Sequence, residues 1–139
     1  MKYILAFIVL TFSMQSSADS WLCTTAASTG LELTADGSWK PMKGLEVGTK
    51  WSIAESDWER GVVYAVRLFD GDDNTVDMIA YLCGDFVSEK NSTETGMLVC
   101  DGYGSAGNTF KYDPRNGQFV ATFTDTDSPL MDVGRCSKR

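Results

Sequence analysis

The chain contains no histidine. That absence removes Ser-His-Asp and Cys-His nucleophilic sites and every zinc site with an imidazole ligand, leaving carboxylate, lysine and tyrosine groups for any acid–base chemistry. Long apolar runs are missing beyond the first residues: nothing after Phe12 approaches the roughly 20 apolar residues of a membrane helix, so membrane insertion is not expected. Cations are scarce, with 12 Lys and Arg against 19 Asp and Glu and a net charge of −7. A surface of that sign repels phosphate backbones and anionic lipid. Nucleic acid is therefore not an expected partner, and the acidity is read first as a solubility device. No two cysteines have the Cys-x-x-Cys spacing of redox motifs and zinc ribbons, so neither a metal site nor a cofactor is expected.

Met1 to Ala18 reads as a secretory signal peptide. Lys2 is the positive start, Ile4 to Phe12 the apolar run, and Ser16-Ser17-Ala18 the small-residue cleavage site. Loss of Lys2 with the signal makes the mature chain more acidic by one unit. Cys23 lies near the expected cleavage point, but Ser20-Trp21-Leu22 before it are too bulky for a lipoprotein signal. Residues 19–139 make one domain, released into a periplasmic or extracellular space. Four cysteines, Cys23, Cys83, Cys100 and Cys136, make an even number in an oxidising compartment, which favours two structural disulfides over catalytic or metal-bound thiols.

Apolar and polar residues alternate, and Gly, Asp, Asn and Ser clusters interrupt them at short intervals; this is the pattern of antiparallel strands. Leu31-Glu32-Leu33-Thr34 leads into Ala35-Asp36-Gly37-Ser38, a tight turn from which Trp39 begins the return. Val62 to Phe69 and Val76 to Cys83 are the strongest strands, joined by the acidic tip Asp70 to Thr75. After the polar loop Glu89 to Gly96 come a short strand Met97 to Cys100 and a hairpin of Thr109 to Tyr112 with Gln118 to Thr124. In that hairpin Pro114 presets the turn and Gly117 takes the left-handed position. Leu130 to Arg135 is the last strand. Ile53 to Arg60 is the one segment with room for a helical turn or two. Seven to nine strands in hairpin succession predict an all-β fold, a small antiparallel meander barrel, with a two-layer sandwich as the alternative.

Four cysteines allow three pairings. Cys83 and Cys100 end successive strands, and barrel closure brings the first and last strands together, so Cys83–Cys100 with Cys23–Cys136 is the favoured set while the other two stay open.

Several motifs compete for a functional reading. Asn91-Ser92-Thr93 has the form of an N-glycosylation acceptor, relevant in a eukaryotic source. Trp21, Trp39, Trp51 and Trp58 are read as core residues in preference to a sugar-stacking platform. Gly37-Ser38-Trp39 resembles the Gly-x-Trp of lipocalins, whose tryptophan closes one barrel end; a turn followed by a core aromatic is the preferred reading. The exposed, small-residue loop Asp101 to Asn108, with Thr109-Phe110-Lys111-Tyr112 after it, resembles the Ser/Gly loop with a following cation and tyrosine by which periplasmic inhibitors of c-type lysozyme enter the enzyme's cleft. That resemblance implies a small exported β-barrel and a binding surface of Tyr103, Gly104, Ser105, Ala106, Gly107, Lys111 and Tyr112. Phe110-Lys111-Tyr112, Gly117-Gln118-Phe119 and Asp127 to Cys136 resemble the ending of small exported proteobacterial proteins of unknown function, in which an aliphatic strand and Gly-x-Cys close the chain. It implies a disulfide-tied last strand and carries no activity.

The sequence thus points to an exported binding protein without catalytic residues, whose first expected ligand is a protein partner such as a secreted or envelope hydrolase. A small apolar ligand inside the barrel is the alternative, and a carboxylate hydrolase the third reading. Calcium is expected to be unimportant. Asp70-Gly71-Asp72-Asp73-Asn74 begins like a calcium loop, but Thr75 stands at the sharp-turn glycine position and Tyr81 at the closing glutamate. Melting temperatures in calcium and in chelator should agree within about 3 °C. A site filled 100-fold above its dissociation constant would add about 2.7 kcal/mol, a shift on the order of ten degrees that would contradict this reading.

Overall fold

In a computed structural model, residues 19–45, 47–56, 61–69, 75–84, 96–124 and 127–139 are described. They form nine strands, β1 Ser20–Leu33, β2 Trp39–Pro41, β3 Lys50–Glu55, β4 Tyr64–Phe69, β5 Thr75–Cys83, β6 Leu98–Gly102, β7 Thr109–Asp113, β8 Gln118–Phe123 and β9 Leu130–Lys138. All pairings are antiparallel, and the order β1-β3-β4-β5-β6-β7-β8-β9 returns to β1 through a β1–β9 ladder, giving an eight-stranded closed barrel. The expected barrel is the architecture, and closure leaves no sheet edge in the ring. β2 stands outside that ring, paired only to the far end of β1 through Leu31–Pro41, Glu32–Lys40 and Leu33–Trp39.

Alternation places one side of each strand inside. Trp21 and Cys23 of β1, Trp51 and Ile53 of β3, Tyr64 and Val66 of β4, Tyr81 of β5, Leu98 of β6, Phe110 and Tyr112 of β7 and Phe119 of β8 meet in one cluster. Phe110 stacks on Phe119 with ring centroids 5.1 Å apart, Tyr81 lies 5.5 Å from Phe110 and Trp51 6.0 Å from Tyr81. Small barrels of eight strands are just wide enough to be filled in this way.

Two expectations change. Ile53 to Glu55 belongs to β3, not to a helical turn, because Trp51 and Ile53 are the inward residues of a strand paired on both sides; residues 57–60 lie outside those described. Trp39 is not core: at 48% exposure it sits on β2, beyond the barrel wall. Trp58, the Asp70 to Asn74 tip, Asn91 and the signal residues 1–18 also lie outside the described residues.

Both disulfides join directly opposed residues, Cys23 to Cys136 across β1–β9 and Cys83 to Cys100 across β5–β6, as favoured from the strand order. The first spans 113 residues and seals the barrel seam, whereas the second spans 17 within one hairpin. In the chain-entropy account, the longer loop restricts the unfolded chain more. Replacing Cys23 and Cys136 by alanine should lower the unfolding free energy by about 4 to 5 kcal/mol, against about 3 kcal/mol for Cys83 and Cys100. Urea unfolding of the two double variants compares the losses; an equal or reversed order would contradict the seam's dominance.

Candidate functional site

Three places were open to carry function: the barrel interior, the loop after β6 and the outer wall. The interior is occupied by the protein's own rings. Its described polar groups are few, and two of them are paired across the sheet. Trp51 donates its indole N–H to Thr25 Oγ1 at 3.3 Å, and Ser28 Oγ donates to the carboxylate of Asp132, a residue only 5% exposed. Tyr81 Oη is enclosed without a protein hydrogen-bond partner. Burial, with Asp132 adding repulsion, pushes the Tyr81 phenol above its ordinary range. Among the described residues Asp132 is the one buried carboxylate.

The loop between β6 and β7 carries Tyr103, Gly104, Ser105, Ala106 and Gly107 to the surface, with Tyr103 50% exposed. It is firmly tied at its base. The Gly102 amide donates to Asn108 O at 2.9 Å, the Tyr103 amide to Ala80 O at 3.0 Å, the Thr124 amide to Asn108 Oδ1 at 2.7 Å and Thr124 Oγ1 to Ala106 O at 3.2 Å. Gly107, at φ 89°, has Thr124 Oγ1 where a Cβ would stand, so only glycine fits. Lys111 and Tyr112 do not join the loop as one surface. Alternation along β7 turns Lys111 outward and Tyr112 inward, where it is 3% exposed and lies against Trp21 at 5.8 Å. Burial, and secondarily Asp113, raises the Tyr112 phenol's pKa.

The outer wall holds what sequence reasoning missed. Up to Thr25, the odd-numbered residues of β1 point inward. The β1–β9 register then slips, Thr25 opposing Gly134 and Ala27 opposing Val133, with Ala26 the additional residue of a β-bulge. Because strand faces alternate with period two, one inserted residue exchanges inside and outside for all that follows. Ser28 now points inward to Asp132, while Leu31 and Leu33 point outward at 43% and 41% exposure. Their cross-strand partners Pro41 and Trp39 share that face, as do Met131 and Val133 of β9 through Thr29 and Ala27. Gly134 makes room for the bulge, since a Cβ there would collide with Thr24 O and stand 2.6 Å from the Phe119 ring. Only the small-residue run Thr24 to Thr29 opposite Gly134 hints at this in the sequence.

The hairpin tip beyond that face is held by the acidic side chain the turn requires. Gly37 turns at φ 79°, and the Thr34 hydroxyl, the Ser38 hydroxyl and the Ser38 amide all donate to the Asp36 carboxylate. No protein family, curated protein or solved structure matches the chain.

Hydrogen bonds from Thr34 and then Ser38 lower the Asp36 pKa from 3.8 to about 2. A depressed folded value means that the turn's contribution is complete above pH 4 and is lost as pH falls toward 2. In an NMR titration, Asp36 should show its midpoint near 2, and the Trp39 indole signal should move with it. A midpoint near 3.8 with an unmoved indole would separate the turn from the apolar face.

Proposed function

We propose that the protein is an exported binding protein that recognises another protein through the outer face of β2, β1 and β9. The bulge at Ala26 carries this reading, because it turns Leu31 and Leu33 out of the wall to join Trp39, Met131 and Val133. Apolar side chains gathered on an exposed face point to a binding role, and a tryptophan among aliphatic neighbours is a common anchor of such contacts. Three strands about 4.8 Å apart and six residues at about 3.3 Å each cover roughly 300 Å². That is the size of a functional patch on a monomer and well below the roughly 800 Å² per partner of a standard stable interface, which suits a transient contact and not a permanent dimer. Two disulfides suit an oxidising compartment, in agreement with export.

The filled interior weighs against the lipocalin-like alternative, and Asp132, the one buried carboxylate among the described residues, gives no support to a carboxylate hydrolase. We therefore propose no reaction. A hydrolase of the same compartment is the first partner class to test, with c-type lysozyme as the accessible representative.

The test is capture from the native extracellular or envelope fraction, identification of the bound protein, and affinity measurement with variants. Leu31→Asp with Leu33→Asp should weaken binding at least about tenfold, since charge placed in an apolar contact costs more than about 1.4 kcal/mol. Ser105→Trp, in the β6–β7 loop, should change it less than twofold. The opposite ranking would move recognition to that loop, and tight binding of an apolar dye in place of any protein would revive the ligand-binding barrel.

A further inference from the structure

Resting on that reading, the same wall also indicates what part of the partner it meets. The outward strand positions of β3, β1, β9 and β8 are Lys50, Ser52 and Ala54; Ser20, Leu22, Thr24, Ala27, Thr29, Leu31 and Leu33; Met131, Val133, Arg135 and Ser137; and Gln118, Val120 and Thr122. None is a carboxylate. Exposed Glu32 and Glu55 stand on the alternate positions of β1 and β3, so in a chain with 19 acidic residues against 12 basic ones it is the outward rows of these four strands that carry apolar side chains, hydroxyls, one amide and two cations.

Arg135 stands at the middle of that wall, between Thr24 of β1 and Gln118 of β8, with Lys50 beyond Thr24 in the same row. Lys50 and other cations are engaged locally: Arg115 holds Asp113 at 2.9 Å and Lys138 holds Asp19 at 2.6 Å. Arg135 makes no ion pair among the described residues. The bulge also shapes the surface around it. One depression of about 500 Å³ runs along Leu22, Thr24, Ala26 and Ser137, another of about 280 Å³ along Ala26, Gln118, Val120 and Val133, and Arg135 lines both. Ala26, the additional residue of the bulge, is the other side chain common to the two.

We infer that the two depressions are one docking groove for a polypeptide segment of the partner that carries a carboxylate between apolar side chains. The guanidinium of Arg135 presents a planar fork of donors suited to a carboxylate. Leu22 on one side and Val120 and Val133 on the other receive aliphatic neighbours, and the hydroxyls of Thr24 and Ser137 serve the segment's backbone. A polyanionic glycan or nucleic acid fits less well, since such chains are held by many phosphate- or sulfate-facing cations and this row offers two. An uncharged apolar segment would leave the guanidinium without a counter-charge in the contact.

The probe is a capped pentapeptide, Ser-Val-Glu-Leu-Ser, titrated into the intact ¹⁵N-labelled protein and followed by amide chemical shifts. The glutamate peptide should move the amides of Thr24, Ala26, Val133 and Arg135. Its glutamine counterpart should bind about threefold to fivefold more weakly, the range of an exposed ion pair, and its lysine counterpart more weakly still. Arg135→Gln should abolish the preference for glutamate and Arg135→Glu should reverse it, both with an otherwise unchanged spectrum. Equal binding of the glutamate and glutamine peptides, shifts clustered elsewhere, absence of binding, or stronger Arg135-dependent binding of heparin would each overturn the groove. The captured partner separates the two proposals. If it tolerates Arg135→Glu yet is lost on Leu31→Asp with Leu33→Asp, the groove fails and the apolar face stands; if it tolerates both, neither survives.

Discussion

Closure of the sheet by the pairing of β1 with β9 is the constraint on which this structure depends. The ladder runs from Trp21–Lys138 to Gly30–Leu130, is crossed by the Cys23–Cys136 disulfide, and contains the β-bulge at Ala26 near Gly134. Closing a chain of this length through its two ends is entropically costly, and the disulfide moves part of that cost into the unfolded state. With the seam shut, the inner side chains of eight strands converge on a narrow interior.

That interior has room for rings and little else. Trp21, Trp51, Tyr64, Tyr81, Phe110, Tyr112 and Phe119 fill it, and the polar groups admitted lie near the bulge. Thr25 accepts from the Trp51 indole there, and Ser28 donates to Asp132. The bulge thus has two consequences from one inserted residue. It brings Ser28 inside to satisfy a buried carboxylate, which would otherwise be costly to enclose, and it sends Leu31 and Leu33 outside. Core polarity and surface apolarity are two sides of the same register change.

Much of the fold was legible because it rests on local chemistry. The Asp113 to Gly117 and Ala35 to Ser38 turns, the strands flanking them, the all-β class and the disulfide pairing follow from turn residues, alternation and strand order. Less of the candidate site was legible. Leu31-Glu32-Leu33 reads as an ordinary half-buried strand, and alternation alone cannot state which half is buried. Trp39 looked like core because a small domain needs large side chains inside; it stands outside because β2 pairs with the end of β1 beyond Gly30, its last residue opposed to β9. Lys111 and Tyr112, neighbours in a motif, go to opposite faces because they are consecutive in a strand.

The sequence by itself determined the strand-and-turn grammar, the acidic balance, the absence of imidazole chemistry and which cysteines end neighbouring strands. Each of these depends on residue identity or on neighbours a few positions apart. Only the tertiary structure decided which face of β1 meets solvent, which side chains of β9 stand beside it, and that Arg135 lies among outward positions without a carboxylate. Those facts depend on the pairing of residues more than 100 positions apart and on one residue's slip in that pairing. A slip of one residue reverses every side chain beyond it, and no local pattern records such a reversal.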